Sequence, residues 1–290
     1  MKIVFLTSFY DCPENTRLTE EATKLGHEFH IVNTKDLNLH FSESGLTSPE
    51  IEAIQPDVII ARSVLVGVKP VTQLLNHLHT KGVKFYDNHM GKTGYSINKI
   101  SDYGKMALDQ IPLPNTFQTS RHEQMAIHAE KLGYPVIIKP IDTGKGIGVD
   151  KVDSPEQMKD YVEALRLAGS SAKRRMIQEF IPYIHDLRVM VIGDFITAME
   201  RIPQEGDFRA NFSLGGSVKP FELTQEIKDL AKKAANAIGL DHAGVDVLIT
   251  QDGKKYILEA NHSPGFEGLE KATGHNIAKI YLEHALANLT

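Results

Sequence analysis

A parallel α/β unit followed by a mixed α+β region is the fold class that the sequence predicts. Three observations carry it. Short β-branched and aromatic runs alternate with helical periodicity over the first ninety or so residues. The texture changes after Asn98, and two long apolar strands flank a tight turn near the C-terminus. In order, Lys2 to Thr7 reads as a strand, and a helical pattern carrying Leu18, Ala22 and Leu25 stops at Gly26. His27 to Val32 is a second strand, and a polar stretch runs from Asn33 to Ser48. Pro56 opens the run Asp57 to Arg62, then a helix with Val71, Leu74, Leu75 and Leu78 leads to a fourth strand, Val83 to Tyr86. Strands separated by helices imply a small parallel sheet covered on both faces, a Rossmann-like unit over 1–89.

From Asn98 a helix passes through Met106 and Leu108, followed by Ile111-Pro112-Leu113-Pro114 and a short strand, Thr116 to Thr119. A helix from Glu123 to Leu132 stops at Gly133, and the strand Pro135 to Lys139 ends at Pro140. The glycine segment Asp142 to Gly148 and the helix Pro155 to Leu167 come next. Strands are expected at Arg175 to Ile181, Leu187 to Val191 and Phe195 to Arg201, then an irregular loop to Gly216, a helix from Gln225 to Ile238, a hairpin and a terminal helix. Two further units follow from this, 90–178 with the glycine segment and 179–290 with the hairpin.

Composition excludes several functions. With 41% hydrophobic and 24% charged residues, the 290-residue chain is that of an ordinary globular protein. Cys12 is the only cysteine, so neither an intrachain disulfide nor a cysteine-built zinc site can form, which suits a reducing cytosol. Apolar runs such as Val58 to Ala61 fall far short of the roughly 20 residues that span a bilayer. The start, Lys2 and four apolar residues, does not resemble a signal peptide. A formal net charge of -5 argues against a nucleic-acid partner. A cytoplasmic protein with neither a membrane nor a nucleic-acid partner is expected.

Several residue groups carry chemistry. Gly144, Gly146 and Gly148, with Lys145 among them, follow a buried-looking strand. Their amides can turn toward an anion, so the loop is either a phosphate-covering flap or a plain hairpin turn. It lacks the spacing of G-x-x-x-x-G-K-[ST] and of G-x-G-x-x-G. Lys139 ends an apolar strand immediately before it, as a snorkelling edge lysine or as a partner for an anion.

Near the C-terminus, Ala243 to Thr250 and Lys255 to Asn261 flank Gln251-Asp252-Gly253-Lys254. An Asp-Gly two-residue turn would pair Gln251 with Lys254. Counting back along the strands then sets Asp246 opposite Glu259, with Asn261 on the same face. Two carboxylates directly opposite repel. Either a hard divalent cation compensates them, or one is protonated or each finds a basic partner. Between these groups, Arg209 offers a planar fork to a phosphate or an anionic intermediate, or is a solvated loop arginine. The strand exit at Gln178-Glu179-Phe180-Ile181 exposes backbone groups that could read an adenine edge.

Taken in order, Asn98-Lys99, Lys139, the glycine loop, Gln178 to Ile181, Asp186-Leu187-Arg188, Glu205 to Asn211, Ala243 to Asp246 and Glu259 to Gly268 resemble the ATP-grasp superfamily and, within it, the RimK-like α-L-glutamate ligases. The resemblance covers residues 95 to 285 and implies an ATP-grasp fold with the α/β unit before it. It implies that Lys99 and Lys139 contact the α- and β-phosphates of ATP and that Gly144 to Gly148 close over them. Gln178, Glu179, Phe180 and Ile181 would line the adenine pocket and Asp186 would hold the ribose. Arg209, Ala210 and Asn211 would sit beside the γ-phosphate, with Arg209 and Asn211 catalytic. Asp246, Glu259 and Asn261 would bind one or two magnesium ions, with manganese as a substitute, and Arg188, Asn261, Ser263 and Gly265 would face the substrate.

The implied reaction joins an amino acid, glutamate first, to a carboxylate acceptor such as a small molecule, peptide or protein tail, through an acylphosphate. Other ATP-grasp amino-acid, dipeptide, glutathione-type or cofactor-tailoring ligases, or a non-catalytic ATP-binding regulator, are the alternatives. Ile202-Pro203-Gln204 and Ser213-Leu214 stand where ribosomal-protein-modifying relatives carry more cations, which argues against an acidic acceptor tail. His262 beside Asn261 lines the pocket or packs. A homo-oligomer, dimer or tetramer, is implied by the family.

Overall fold

The computed structural model describes residues 1–43, 45–87, 98–142, 147–204 and 216–290. The first sheet is built from β1 (Lys2–Thr7), β2 (Glu28–Asn33), β5 (Val58–Ala61) and β6 (Lys84–Tyr86), parallel and in the order β2-β1-β5-β6. These are the four expected strands. Because β1 and β5 are covered on both faces, nearly every residue in them is apolar. One face carries Val4, Leu6, Ile59 and Ala61 against α3 (Val68–Thr80), while the other places Ile3, Phe5, Val58 and Ile60 against α1 (Pro13–Lys24). The polar stretch Asn33 to Ser48 contains a small hairpin, β3 (His40–Ser42) with β4 (Gly45–Thr47), and a one-turn helix, α2 (Pro49–Glu52), follows it.

Helix α4 (Lys99–Leu108) starts on an N-cap in which the Asn98 side chain accepts from the Ile100 amide. A second sheet follows, β7 (Thr116–Gln118), β8 (Val136–Pro140), β9 (Asp150–Val152) and β10 (Arg175–Glu179), in the order β7-β10-β8-β9. Helices α5 (His122–Leu132) and α6 (Pro155–Leu167) cover it through Met125, Ala129, Met158 and Val162. The strand expected to run to Ile181 ends at Glu179.

The third sheet is antiparallel: β11 (His185–Ile192), β12 (Phe195–Ile202), β13 (Ser217–Pro220), β14 (His242–Ile249) and β15 (Lys255–Asn261), ordered β13-β12-β11-β14-β15. Leu187, Val189, Val191, Val245 and Val247 face α7 (Gln225–Ala237) and the buried side of α4. The opposite face is divided along its length. At one end Met190, Ile192 and Met199 meet the first sheet, α8 (Glu267–Thr273) and α9 (Ile277–Ala287). At the other end stand charged side chains.

The expected turn of the β14–β15 hairpin is corrected by the structure. The Thr250 amide donates to the Lys254 carbonyl and Gly253 adopts φ +80°, so the loop holds three residues, with glycine in the left-handed position. Ile249 therefore lies opposite Lys255, one residue off the expected register. A bulge at Leu258 then adds one residue to β15, and beyond it Asp246 does stand opposite Glu259. Two one-residue departures cancel.

Where the third sheet meets the first, Tyr86 Oη lies 2.9 Å from His242 Nδ1 and donates to Asp241 at 3.1 Å. His284 reaches the same carboxylate at 3.3 Å. Burial, reinforced by Arg62, pushes the His242 imidazole well below 6.5. The unfolded chain thus binds a proton below pH 6.5 that the folded chain refuses, and stability must fall as pH drops through that value. Urea unfolding at pH 7 and pH 5 should show a lower midpoint at pH 5, by up to about 1.4 kcal/mol per unit from this group. His242→Leu should make that dependence shallower, and an unaltered slope would remove His242 as its source.

Candidate active site

Asp246, in the middle of β14, has the row Arg188 on one side and Glu259 on the other, each directly opposite it in register. Two residues along β11, Asp186 stands opposite Arg201 of β12. Strand periodicity puts Asp186, Arg188, Arg201, Asp246, Glu259 and Asn261 on one face. Asp246 is 8% exposed, so its charge needs compensation. Arg188 supplies it with two bonds, at 2.5 and 3.2 Å, and Arg201 adds one at 3.2 Å. Burial alone would raise the Asp246 carboxyl, but the two guanidinium groups outweigh it and hold it below its ordinary range.

Arg201 also binds Asp186 through Nε at 3.0 Å and through Nη2. Burial, opposed by Arg201 and reinforced by Asp246, leaves Asp186 raised. Arg201 thus pairs with the Oδ1 oxygen of Asp186. Glu259 is half-open to solvent, with Lys99 Nζ at 3.7 Å.

Lys139, at the end of β8, is 8% exposed. Its Nζ donates to Gln178 Oε1 at 2.9 Å and lies 5.5 Å from the Tyr103 ring centre. Burial pulls this ammonium down to about 8, against the charges of Glu259 and Asp246. The buried lysine of the second sheet thus lies within the electrostatic influence of the carboxylates on the third. Asp102, one turn along α4 from Lys99, is raised to about 6 by burial and by Glu259, against the cations Lys105 and Lys99.

At the strand exit, Glu179 is tied to Asn115, whose amide and side chain donate to its carboxylate at 2.7 and 3.0 Å. Phe180 lies under Lys151, 5.2 Å from Nζ to ring centre, and Ile181 is half-buried beside it. Gly148 adopts φ +71°, and a Cβ there would come within 3.0 Å of Pro140. Gly144, Lys145, Gly146, Arg209, Ala210 and Asn211 lie outside the described residues.

Asn261 and Ser263 form a local turn in which the Ser263 amide donates to Asn261 Oδ1 at 2.8 Å. The Ser263 hydroxyl accepts from the Ser63 amide at 2.9 Å, the Pro264 carbonyl accepts from Arg62, and Glu14 accepts from the Phe266 amide at 3.0 Å. Ser263 and Gly265 therefore stand against the first sheet. His262 contacts the Ser263 hydroxyl at 3.3 Å.

Asp246, Glu259 and Asn261 offer oxygen donors alone, the set that suits a hard cation. Among the described residues no group of three His, Cys, Asp or Glu forms a metal cluster, so two carboxylates and an amide are what this face offers. Sequence reasoning missed Arg201 as a partner. The hairpin through Gly193-Asp194 would have placed it opposite Asp186 by register. No sequence signal pointed to Tyr103 or Asp102.

Residues 97–284, more than half of the chain, match the family model described as a RimK-like ATP-grasp domain. A probable alpha-L-glutamate ligase of Aliivibrio fischeri (strain MJ11) is 32% identical over 289 residues, covering 98% of this chain and 94% of its own. Probable alpha-L-glutamate ligase 2 of Shewanella sp. (strain W3-18-1) is 30% identical over 296 residues, covering 100% and 97%. Among solved structures, the ATP-grasp ligase PsnB complexed with a phosphomimetic variant of its minimal precursor, Mg and ADP aligns with a TM-score of 0.75 at 21% identity, covering 98% and 97% of the two chains. The RimK domain protein ATP-grasp from Sphaerobacter thermophilus DSM 20745 aligns at 0.75 and 20%, over 99% and 100%. The fold is ATP-grasp.

Two substitutions test this geometry. Arg201→Met leaves Asp186 and Asp246 short of a cation and should cost about 3–5 kcal/mol in chemical denaturation. Gly244→Ala would put a Cβ 2.5 Å from Pro264 Cβ. Displacing the Pro264 loop should cost about 1–3 kcal/mol and lower the melting temperature.

Proposed function

The chain belongs to the RimK-like ATP-grasp family and is an ATP-dependent ligase, and on that premise we propose that it joins an amino acid, glutamate first, to a carboxylate acceptor through an acylphosphate. The observation that carries this reading is the row Arg188–Asp246–Glu259 with Lys99 Nζ 3.7 Å from Glu259, and with the buried Lys139 under the electrostatic influence of both carboxylates. Cations beside a row of carboxylates suit a polyphosphate and the ions that accompany it.

In this reading the acceptor carboxylate oxygen attacks the γ-phosphorus, the bond to the β-phosphate oxygen breaks, and ADP carries away the electron pair. The amine then attacks the acyl carbon, phosphate leaves, and the amine proton passes to solvent or a nearby base. Lys99 and Lys139 hold the phosphates and spread their charge. Gln178, Glu179, Phe180 and Ile181 border the adenine, and Asp186 meets the ribose. Arg209 and Asn211 act at the reacting centre, with Ala210 between them and the glycines 144, 146 and 148 and Lys145 over the triphosphate. Arg188, Ser263 and Gly265 border the substrates.

Asp246, Glu259 and Asn261 would hold magnesium, which when bound neutralises phosphate charge during transfer. Magnesium and ADP in the PsnB complex, and the glutamate ligase names of the relatives, support the reading. The precursor peptide in another PsnB complex supports a peptide among the acceptor classes.

ADP and phosphate should appear only when acceptor and amine are both present, measured by coupled assay. Mass spectrometry should find the product heavier by one amino-acid residue. AMP and pyrophosphate instead would overturn the mechanism. Asp246→Asn and Glu259→Gln should each lower kcat by about 100-fold or more. Near-normal turnover in either would overturn the metal assignment.

A further inference from the structure

The bulge at Leu258 decides which side chains of β15 face Asp246. Up to Ile257 the hairpin runs in one register, and past Leu258 it runs in another that places Glu259 opposite Asp246 and Asn261 opposite Gly244. Without the extra residue the first register would continue. Leu258 would then face Asp246, and Glu259 and Asn261 would turn toward the apolar core, since a one-residue slip reverses every side chain. A bulge leaves one residue outside the strand ladder, and the backbone groups there need other partners.

β15 is an edge strand, and its outer side is closed from α4 and the segment after it. The Ile257 amide donates to the Pro112 carbonyl at 2.8 Å. The Tyr103 hydroxyl donates to the carbonyl of Leu258, the bulge residue itself, at 2.9 Å. Tyr103 is 8% exposed and its ring is seated in the core beneath the third sheet. Its oxygen in turn accepts from Gln178 Nε2 at 2.8 Å. The other end of that amide, Oε1, accepts from Lys139, and Nε2 also donates to Thr116 Oγ1 at 2.8 Å. An ammonium only donates, so Lys139 forces the orientation of the Gln178 amide, and that amide leaves the Tyr103 proton to Leu258.

We propose that Tyr103 is a positioning residue for the metal site, its hydroxyl fixing the Leu258 bulge and thereby presenting Glu259 and Asn261 on the face of Asp246, in register with the lysine that meets the nucleotide. The inference rests on the reading of Asp246, Glu259 and Asn261 as metal ligands. Tyr103 itself touches neither metal nor substrate.

Manganese binding to the full-length protein in the presence of ADP, followed by the loss of the free-ion paramagnetic resonance signal, tests it without turnover. Tyr103→Phe keeps the ring beside Lys139 and removes only the hydroxyl. It should weaken manganese binding by about tenfold, in the range of outer-shell substitutions. ADP affinity measured without metal should stay within about twofold, a split that a purely structural loss would not produce. Metal affinity equal to that of the wild type, or an equal fall in both affinities, would overturn the proposal.

Glu259→Gln separates the two levels. If it loses manganese while Tyr103→Phe binds normally, the positioning role fails and the ligand assignment stands. If it binds manganese normally, the assignment fails and the positioning role with it. Tyr103→Met, of similar reach and without a donor, gives the same comparison should the phenylalanine variant not fold.

Discussion

The charge on Asp246 is the constraint around which the third sheet is arranged. A carboxylate that is 8% exposed in a central strand cannot remain unpaired at acceptable cost. Two guanidinium groups, Arg188 and Arg201, meet it from neighbouring strands, and Arg201 must also serve Asp186. Three carboxylates, Asp186, Asp246 and Glu259, thus face two arginines on this end of the sheet. The residual negative charge lies on the side of Glu259, where Lys99 stands 3.7 Å away. Buried ion pairs of this kind add little net stability over apolar packing, so their presence is better explained by what they position.

The same sheet face serves a second purpose a few residues away. Along β11 the sequence Asp186, Arg188, Met190, Ile192 changes from charged to apolar, and the apolar end joins the core shared with the first sheet and α9. His242, two residues before Gly244 on the same face of β14, belongs to that joint. One face therefore carries both the charged row and the attachment of the first sheet.

Much of this was legible in the residues. Alternating runs located the strands of the first sheet because parallel strands buried on both faces are continuously apolar, as Val58 to Ala61 shows. Some short elements were not legible, although β6 and β7 were: β9 and β13 have too few residues to show periodicity, and β3–β4 hides in polar sequence. The pairing of Asp246 with Glu259 was reached through a two-residue turn that does not exist, and survived because the Leu258 bulge restores what the longer turn removes. Local turn rules can rank loop types, but a bulge is set by what lies outside the hairpin, here Tyr103 and Pro112. Arg201 was legible in principle from hairpin register. The contacts of Tyr103 were not, since they join residues 75 and 155 positions apart.

The loop that follows Asn261 explains why the first unit cannot be treated as a passive neighbour. Asn261 Oδ1 already accepts from the Ser263 amide, so its remaining lone pair is aimed by where Ser263 sits. Ser263 is held by the Ser63 amide, the next residue by Arg62, and Phe266 by Glu14. Gly244 admits Pro264 against β14 only because it has no side chain. The exit of β5, at Arg62 and Ser63, and the start of α1, at Glu14, thereby set the loop carrying one proposed metal ligand. Ser63 adopts φ +57°, a strained conformation for serine that the surrounding bonds hold in place. Changes in the first unit that alter this exit would reach Asn261 through Ser263 and Pro264, two and three residues along the chain. Its sequence is thus constrained by the site as well as by its own core.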